Sequence, residues 1–173
     1  MSGRLALVVI ACALTACSGG TSAGLAQSPA VTRTGPAANL LQQVRAAGQV
    51  GVELDVQPLR DPQVQDLRNA ATQAEGRGDF DAARASIDNA LLLAPADPDL
   101  LQWRAELSLV QRDFPAAERL AQRSFAIGPQ SGGLCRRNWT TIELAAQSRG
   151  DQAQAGHARA QAAGCRIAPP VRM

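Results

Sequence analysis

A period of 34 residues relates two stretches of the sequence, and this repetition constrains the fold more than any other feature. Residues 78–80 read Gly-Asp-Phe, and residues 112–114, which lie 34 positions later, read Arg-Asp-Phe. The same offset relates four pairs of identical residues: Leu67 and Leu101, Ala71 and Ala105, Ala83 and Ala117, and Pro95 and Pro129. A repeat of this length is typical of arrays in which one pair of helices stacks on the next.

Aspartates stand where the helices of such pairs would begin. Asp61-Pro62 and Asp97-Pro98 each place a capping carboxylate before a proline, the arrangement preferred at a helix start. Asp79, Asp113 and Asp151 stand at the expected start of the second helix of each pair. Apolar residues recur on one side of each predicted helix. Because a single helix hairpin cannot bury its own apolar side, the sequence predicts that the hairpins stack on one another.

Residues 64–131 resemble two tetratricopeptide repeats (TPRs). The matching features are a small residue within the first helix, an aromatic residue at the start of the second, alanines at the helix crossing and a closing proline. A third unit resembles the pattern from near Arg136, although Glu143 replaces the small residue and Gln152 replaces the aromatic one. The resemblance implies an all-α fold, a short right-handed TPR solenoid of about three helix hairpins within a helical domain at 62–167. The expected units lie near 64–97, 98–131 and 136–167.

The N-terminus predicts an export signal followed by a lipid anchor. An apolar run ends at Ala16 and is shorter than the roughly 20 residues that a membrane-spanning helix needs. Residues 1–16 are therefore expected to be a signal peptide. Residues 14–17 read Leu-Thr-Ala-Cys and resemble the lipobox of bacterial lipoproteins, which implies acyl chains such as palmitate on Cys17. Ser18 in place of Asp implies an outer-membrane anchor that faces the periplasm. The alternative is an ordinary signal peptide in which Cys17 has no role.

A tether and a lead-in segment are expected between the anchor and the repeats. Residues 17–36 are small, polar and Pro-containing, which predicts a disordered, flexible tether. Residues 37–61 are expected to form a short helix over 37–47, stopped at Gly48, and then an extended segment, because apolar and polar residues alternate over 50–56. That segment either packs along the helical domain or adds as a strand to a partner. Residues 168–173 are expected to form a C-terminal tail.

Two cysteines remain in the domain once Cys12 leaves with the signal and Cys17 carries lipid. Cys135 lies near the start of the third unit's first helix and Cys165 near the end of its second. These helix ends lie together in a hairpin, and thiols in an oxidising compartment usually pair. A Cys135–Cys165 disulfide is therefore expected. The alternative is a redox-active pair, although the chain has no C-x-x-C spacing to activate a thiolate.

Residue usage indicates neither an enzyme nor a nucleic-acid-binding protein. The single histidine, His157, and the lack of a paired-carboxylate motif leave no predicted metal site and no nucleophile beside a base. The formal net charge is +2, and the basic residues are arginines interspersed with acidic residues rather than gathered into a stripe. We therefore expect no enzymatic activity, no cofactor, no metal and no nucleic-acid partner.

Recognition of a partner is the remaining class of function. TPR arrays usually hold a peptide on the concave face formed by the first helix of each unit, so the resemblance implies that an envelope protein or peptide is the partner. The positions that it places on this face are Gln65, Arg68, Thr72, Glu75, Asp99, Gln102, Glu106, Leu109, Arg137, Thr140, Leu144 and Gln147. The expected partner contacts among them are Arg68, Thr72, Gln102, Glu106, Leu109, Arg137, Thr140 and Leu144.

Two questions stay open at the level of the sequence. Leu109 and Leu144 either line an open groove or fill the seam between neighbouring units. The protein is either an adaptor that recruits an envelope protein, for example a subunit of an assembly or secretion apparatus, or a non-binding structural or stability factor of the envelope.

Overall fold

The computed structural model describes residues 36–51 and 59–166, and within these ranges every regular element is an α-helix. The helices of this part of the chain are α1 (Pro36–Gly48), α2 (Pro62–Gly76), α3 (Phe80–Leu93), α4 (Pro98–Val110), α5 (Phe114–Ile127), α6 (Gly132–Ser148) and α7 (Gln152–Gly164). None of them is long and apolar enough to cross a membrane.

Aspartate side chains begin five of the helices. Each accepts hydrogen bonds from backbone N–H groups of the first helical turn, at 2.8 to 3.2 Å. These bonds satisfy donors that have no partner within the helix itself. The N-caps are the five aspartates that the sequence predicts: Asp61, Asp79, Asp97, Asp113 and Asp151.

Helices α2 to α7 form three hairpins. Helix α2 packs on α3, α4 on α5 and α6 on α7, and successive hairpins meet through α3 with α4 and α5 with α6. The predicted all-α array of three helix hairpins is therefore confirmed in the described residues.

Small side chains fill the centre of the array. In the first hairpin four buried alanines surround Ile87, and they are Ala71, Ala74, Ala83 and Ala90. A second cluster joins the later hairpins through Ala105, Ala121, Ile142 and Ala158. Because alanine keeps neighbouring helices close together, the core needs few large side chains.

The third hairpin begins earlier than expected, since α6 starts at Gly132 rather than near Arg136. The end of α7 holds this first turn in place. The Gly132 N–H donates to the Cys165 carbonyl at 2.7 Å, and a disulfide joins Cys135 to Cys165, with their Cα atoms 5.7 Å apart. These contacts between distant residues extend the helix beyond the part that its apolar period predicts.

Helix α1 belongs to none of the hairpins and packs across α4 and α6. It covers the short helix expected over 37–47, and Leu41 and Val44 on its inner side are buried. The predicted signal peptide, Cys17, most of the tether and the 168–173 tail lie outside the described residues. So does most of the extended segment predicted at 50–56.

Candidate protein-binding face

The first helices of the three hairpins, α2, α4 and α6, carry the residues that the sequence assigns to partner contacts. We call the surface that they form the A-helix face. Because α1 packs on α4 and α6, the part of the A-helix face near these helices is covered, while the part near α2 borders a cavity.

The two leucines expected to line an open groove lie beneath α1. Leu109 is fully buried and Leu144 is 8% exposed. Both belong to one apolar cluster with Val44 of α1, and Leu40 packs against the same cluster. No open apolar strip is present at these two positions, because α1 closes the seam that the leucines occupy.

Glu106 is the charged centre of the covered region. Its side chain is fully buried and accepts hydrogen bonds from two arginines on different helices. Arg137 donates from Nε and Nη2 to Glu106 Oε1 at 2.8 and 2.6 Å, and Arg45 of α1 donates from Nε to Oε2 at 3.0 Å. A buried carboxylate requires such partners, so Glu106 couples α1 to α4 and α6.

Gln102 extends this polar network between α4 and α6. Its Nε2 donates to Glu106 Oε1 at 3.1 Å and to Thr141 Oγ1 at 2.8 Å, with a longer bond of 3.3 Å to the Arg137 carbonyl. Gln102 is fully buried. Gln102 and Glu106 therefore hold helices of the protein together rather than facing solvent.

Arg45 also reaches α2, where its guanidinium pairs with Glu75. Arg45 Nη1 and Nη2 donate to the two carboxylate oxygens of Glu75 at 2.8 and 3.0 Å, and Trp103 Nε1 donates to the same carboxylate. Burial opposes the charged form of Arg45, but its hydrogen bonds and attraction to Glu75 and Glu106 outweigh burial and raise the pKa of Arg45. This fork is the geometry that favours arginine over lysine.

The C-terminal end of α1 fits closely against the start of α6. Arg136, which is buried, donates to the Ala47 carbonyl at 3.0 Å and to the Gly48 carbonyl at 3.4 Å. A Cβ on Gly133 would lie 2.8 Å from the Gly48 oxygen. Glycine at 133 therefore permits the approach, and the arginine supplies donors to carbonyls that the end of a helix leaves free.

The uncovered part of the A-helix face is a cavity of about 270 Å³ between α1 and α2. Arg68 lines it and places its guanidinium carbon 5.2 Å from the centre of the Trp103 ring. Thr72 is exposed at the rim, and its hydroxyl donates to the Arg68 carbonyl at 3.0 Å. The residues that line the cavity are Arg45, Gln49, Arg68, Thr72, Glu75, Trp103 and Arg137.

Arg68 has hydrogen-bonding capacity that the described residues do not use. Its Nη1 atom is buried and has no hydrogen-bond partner. Burial and the positive charge of Arg60 lower the pKa of Arg68, while Asp99 and Asp97 act in the opposite direction. The nearby carboxylates of Glu75 and Glu106 already accept bonds from Arg45 and, for Glu106, from Arg137. This cavity-lining residue therefore keeps a donor that has no acceptor among the described residues.

The structure brings the predicted contact residues into two environments. Leu109, Leu144, Gln102 and Glu106 are buried, whereas Arg68 and Thr72 border the cavity and Arg137 touches both regions. Thr140 is half-buried on α6. The sequence interpretation omitted two residues that shape the face, Arg45 and Trp103, and it did not predict that Arg136 caps α1. One sequence feature indicated the missing contacts: the short helix over 37–47 has an apolar side, and this side needs a surface to pack on.

The sequence predicts no metal site, an expectation that can be compared with the described ranges. No group of three or more His, Cys, Asp or Glu residues there has a geometry that could hold a metal ion. His157 is exposed, and its ring lies edge-on to Trp139 with the ring centres 5.9 Å apart. This contact fits a surface packing role for the histidine.

Comparison with known proteins finds similarity to a solved structure. No protein-family model and no curated protein matches the chain, so the TPR resemblance stays a prediction. The chain is similar to the solved structure of the globular C-terminal domain of P. aeruginosa LpoP, with 32% sequence identity and a TM-score of 0.57. The match covers 61% of this chain and 99% of that domain. At this identity and coverage, the chain belongs to the same family as the globular C-terminal domain of P. aeruginosa LpoP.

Proposed function

We propose that this protein is a lipid-anchored adaptor of the bacterial envelope that faces the periplasm and binds a protein or peptide partner on its A-helix face. The observation that carries the proposal is the cavity beside α1, where Arg68 presents a buried donor without an acceptor. Sites that bind ligands are typically concave, with a few polar groups that fix the orientation of the ligand. Binding without catalysis is part of the proposal.

The lining of the cavity suits a protein segment better than a small apolar molecule. Trp103 supplies an aromatic ring packed against Arg68, Arg68 supplies charge, and Thr72 supplies an exposed polar side chain. Tryptophan and arginine are the side chains that most often dominate the binding energy of protein interfaces. A partner segment that brings a carboxylate or carbonyl group to Arg68 would satisfy its free donor.

The proposed localisation rests on the N-terminal sequence and on the similarity to a known protein domain. The apolar run that ends at Ala16 and the lipobox-like residues 14–17 support export and acylation of Cys17. Two acyl chains are sufficient for stable attachment to a bilayer. The relationship to the globular C-terminal domain of P. aeruginosa LpoP supports a general protein-binding role in the envelope.

Site-specific photocrosslinking in living cells tests the adaptor role. A photoreactive amino acid at Thr72, on the rim of the cavity, should capture a defined envelope protein. The same group at Gln122, which is exposed on α5, should not capture it. Arg68→Glu should reduce capture at position 72 by about tenfold or more, because a buried donor is replaced by an anion. Arg119→Glu makes the same charge change at an exposed position on α5 and should leave capture unchanged.

The outcomes separate the two open functions. If Thr72 and Gln122 give the same weak, unspecific products, the adaptor role is wrong and a non-binding structural factor of the envelope is the better description. Mass spectrometry of the mature N-terminus tests the anchor separately. An unacylated chain that begins beyond Cys17 would contradict the anchor and leave the crosslinking result to be judged by itself.

A further inference from the structure

Helix α1 occupies the A-helix face in the way that a bound peptide occupies its receptor. Each helix from α2 to α7 pairs with its neighbour in sequence to form a hairpin. Among the described helices, α1 instead packs on α4 and α6 and reaches α2 through the ion pair of Arg45 with Glu75. The chain between α1 and α2 spans residues 49–61. Helix α1 is therefore an added element, and the three hairpins form the surface that receives it.

We call the surface on which α1 packs the seat of α1; it is formed by Glu75, Glu106, Leu109, Arg136 and Leu144. The seat contacts three features of the helix. Its apolar floor, which includes Leu109 and Leu144, takes Val44 and borders Leu40. Its acidic pair, Glu75 and Glu106, takes the guanidinium of Arg45. Arg136 then binds the backbone carbonyls at the C-terminal end of the helix. These contacts fit a helix with apolar residues on one side, such as Leu40 and Val44, and with an arginine directly after them. They also require the helix to end soon after that arginine, as α1 does at Gly48.

Helix α1 has little stability of its own. It has 13 residues, and isolated helices shorter than about 12 to 15 residues are marginal in water. Its helical form therefore depends on the seat, and loss of the seat contacts releases the segment as a unit. Segments held by few buried side chains open more readily than the core of a fold.

We propose that the seat of α1 is a helix-binding site, and that an amphipathic helix of the partner displaces α1 from it. The partner helix carries apolar side chains at the spacing of Leu40, Leu41 and Val44, followed by an arginine that enters the pair of Glu75 and Glu106. This inference rests on the proposed adaptor function and names the chemistry of its partner. Release of α1 also exposes the floor of the seat next to the cavity at Arg68, so the two regions become one continuous surface.

A peptide with the sequence of residues 36–48, labelled with a fluorophore, is the probe that tests the seat. It is added to the full mature chain in detergent, and fluorescence anisotropy measures its binding. The wild-type protein should bind the peptide weakly, because its own α1 competes within the same molecule. Val44→Asp in the protein places a charge at a fully buried position of α1 and should release α1 from the seat. Peptide binding should then tighten by about tenfold or more, because a larger fraction of the protein has an empty seat.

Two controls have defined outcomes. Gln42→Asp adds the same charge to α1 at an exposed position, so the protein should bind the peptide as weakly as the wild type does. A peptide that carries Arg45→Glu should lose at least about tenfold in affinity for the Val44→Asp protein, because its anion meets two carboxylates. If the Val44→Asp protein binds no more peptide than the wild type, or binds both peptides equally, the proposal is wrong.

Hydrogen exchange of the wild-type protein gives a test that needs no variant. The amides of α1 should exchange through a local opening, faster than the buried amides of α4 and α6. If α1 exchanges only together with α4 and α6, it is a permanent part of the fold and the proposal is overturned. Crosslinks between α1 of one copy and α6 of a second copy would assign the seat to self-association and overturn it as well.

These results are distinct from a failure of the adaptor role. A partner captured at Thr72 in cells by a protein whose α1 never opens would leave the adaptor intact and refute only the helix-exchange step. A seat that binds the peptide in a protein with no envelope partner would refute the adaptor role and the partner helix that depends on it, and would leave only the helix-binding property of the seat.

Discussion

Replacement of Leu109 by serine tests whether α1 and the hairpins close over this side chain. Leu109 is fully buried in a cluster with Val44, Ala117 and Leu144. Removal of a buried leucine side chain costs about 3 kcal/mol through lost transfer free energy and the cavity that remains. A serine hydroxyl without a partner in this apolar setting adds about 1 kcal/mol. The free energy of unfolding should therefore fall by about 4 kcal/mol.

Thermal and urea unfolding, followed by circular dichroism on the purified mature protein, measure this loss. For a domain of this size, 1 kcal/mol corresponds to about 4 °C in Tm, so the expected decrease for Leu109→Ser is about 15 °C. Leu144→Ser should change Tm in the same direction. Leu92 is 80% exposed on α3, and Leu92→Ser should alter the free energy of unfolding by less than about 0.5 kcal/mol.

The result that would refute the reasoning is a Leu109→Ser protein that melts like the Leu92→Ser control. The double variant Val44→Ser with Leu109→Ser then identifies which element covers the leucine. Because side chains in contact have coupled effects, the double change should cost less than the sum of the single changes, by about 0.5 to 2 kcal/mol. Additive costs would mean that α1 does not lie over Leu109.

The disulfide, one turn and one helix cap give three further predictions. Alanine at both Cys135 and Cys165 opens a loop of 30 residues and should lower the free energy of unfolding by about 3 to 4 kcal/mol; dithiothreitol should lower the Tm of the wild type but not of this variant. Gly78 has a φ of +75°, so Gly78→Ala should destabilise by about 1 kcal/mol, whereas Gly76→Ala, in open space, should be neutral or slightly stabilising in urea unfolding. Asp97 accepts two backbone bonds at the start of α4, and Asp97→Ala should cost about 1 kcal/mol in the same assay, while Asp97→Asn should keep most of the cap.

The hairpins could be predicted from the sequence because local features determine them. An aspartate such as Asp97 caps the helix that begins directly after it, and the alanines repeat at a spacing that the stacked helices share. Each of these features acts over a few residues or over one repeat. The start of α6 at Gly132 was not predicted, because its first turn depends on Cys165. Cys165 follows α7, so it is close to this turn in space but distant from it in the sequence.

The docking of α1 could not be predicted, although the helix itself was. The apolar stripe of Leu40, Leu41 and Val44 indicates that one side of this helix is buried, but it does not indicate the surface that buries it. That surface is assembled from residues far along the chain, as the 61-residue separation between Arg45 and Glu106 illustrates. Position within a repeat identified which residues belong to the A-helix face, but it carried no information about which of them α1 covers.

Stability alone does not explain the charged residues between α1 and the helices on which it packs. Burial of Glu106 beside Arg45 and Arg137 requires removal of water from ionised groups, and apolar side chains of similar size often give equal or greater stability. Leu40 and Val44 already supply apolar contact beside these charges. The charges add orientation instead, because the planar guanidinium of Arg45 contacts Glu75 and Glu106 together in this register.

A helix that binds one residue out of register turns its side chains by about 100° and moves its cation away from both carboxylates. Such a helix leaves Glu106 buried with fewer partners, which is costly. Unpaired buried charge rejects wrong partners more strongly than an apolar groove can. The polar seat therefore selects a helix by its sequence pattern, and this selectivity is what an adaptor requires if it is to choose one envelope protein among many that carry amphipathic helices.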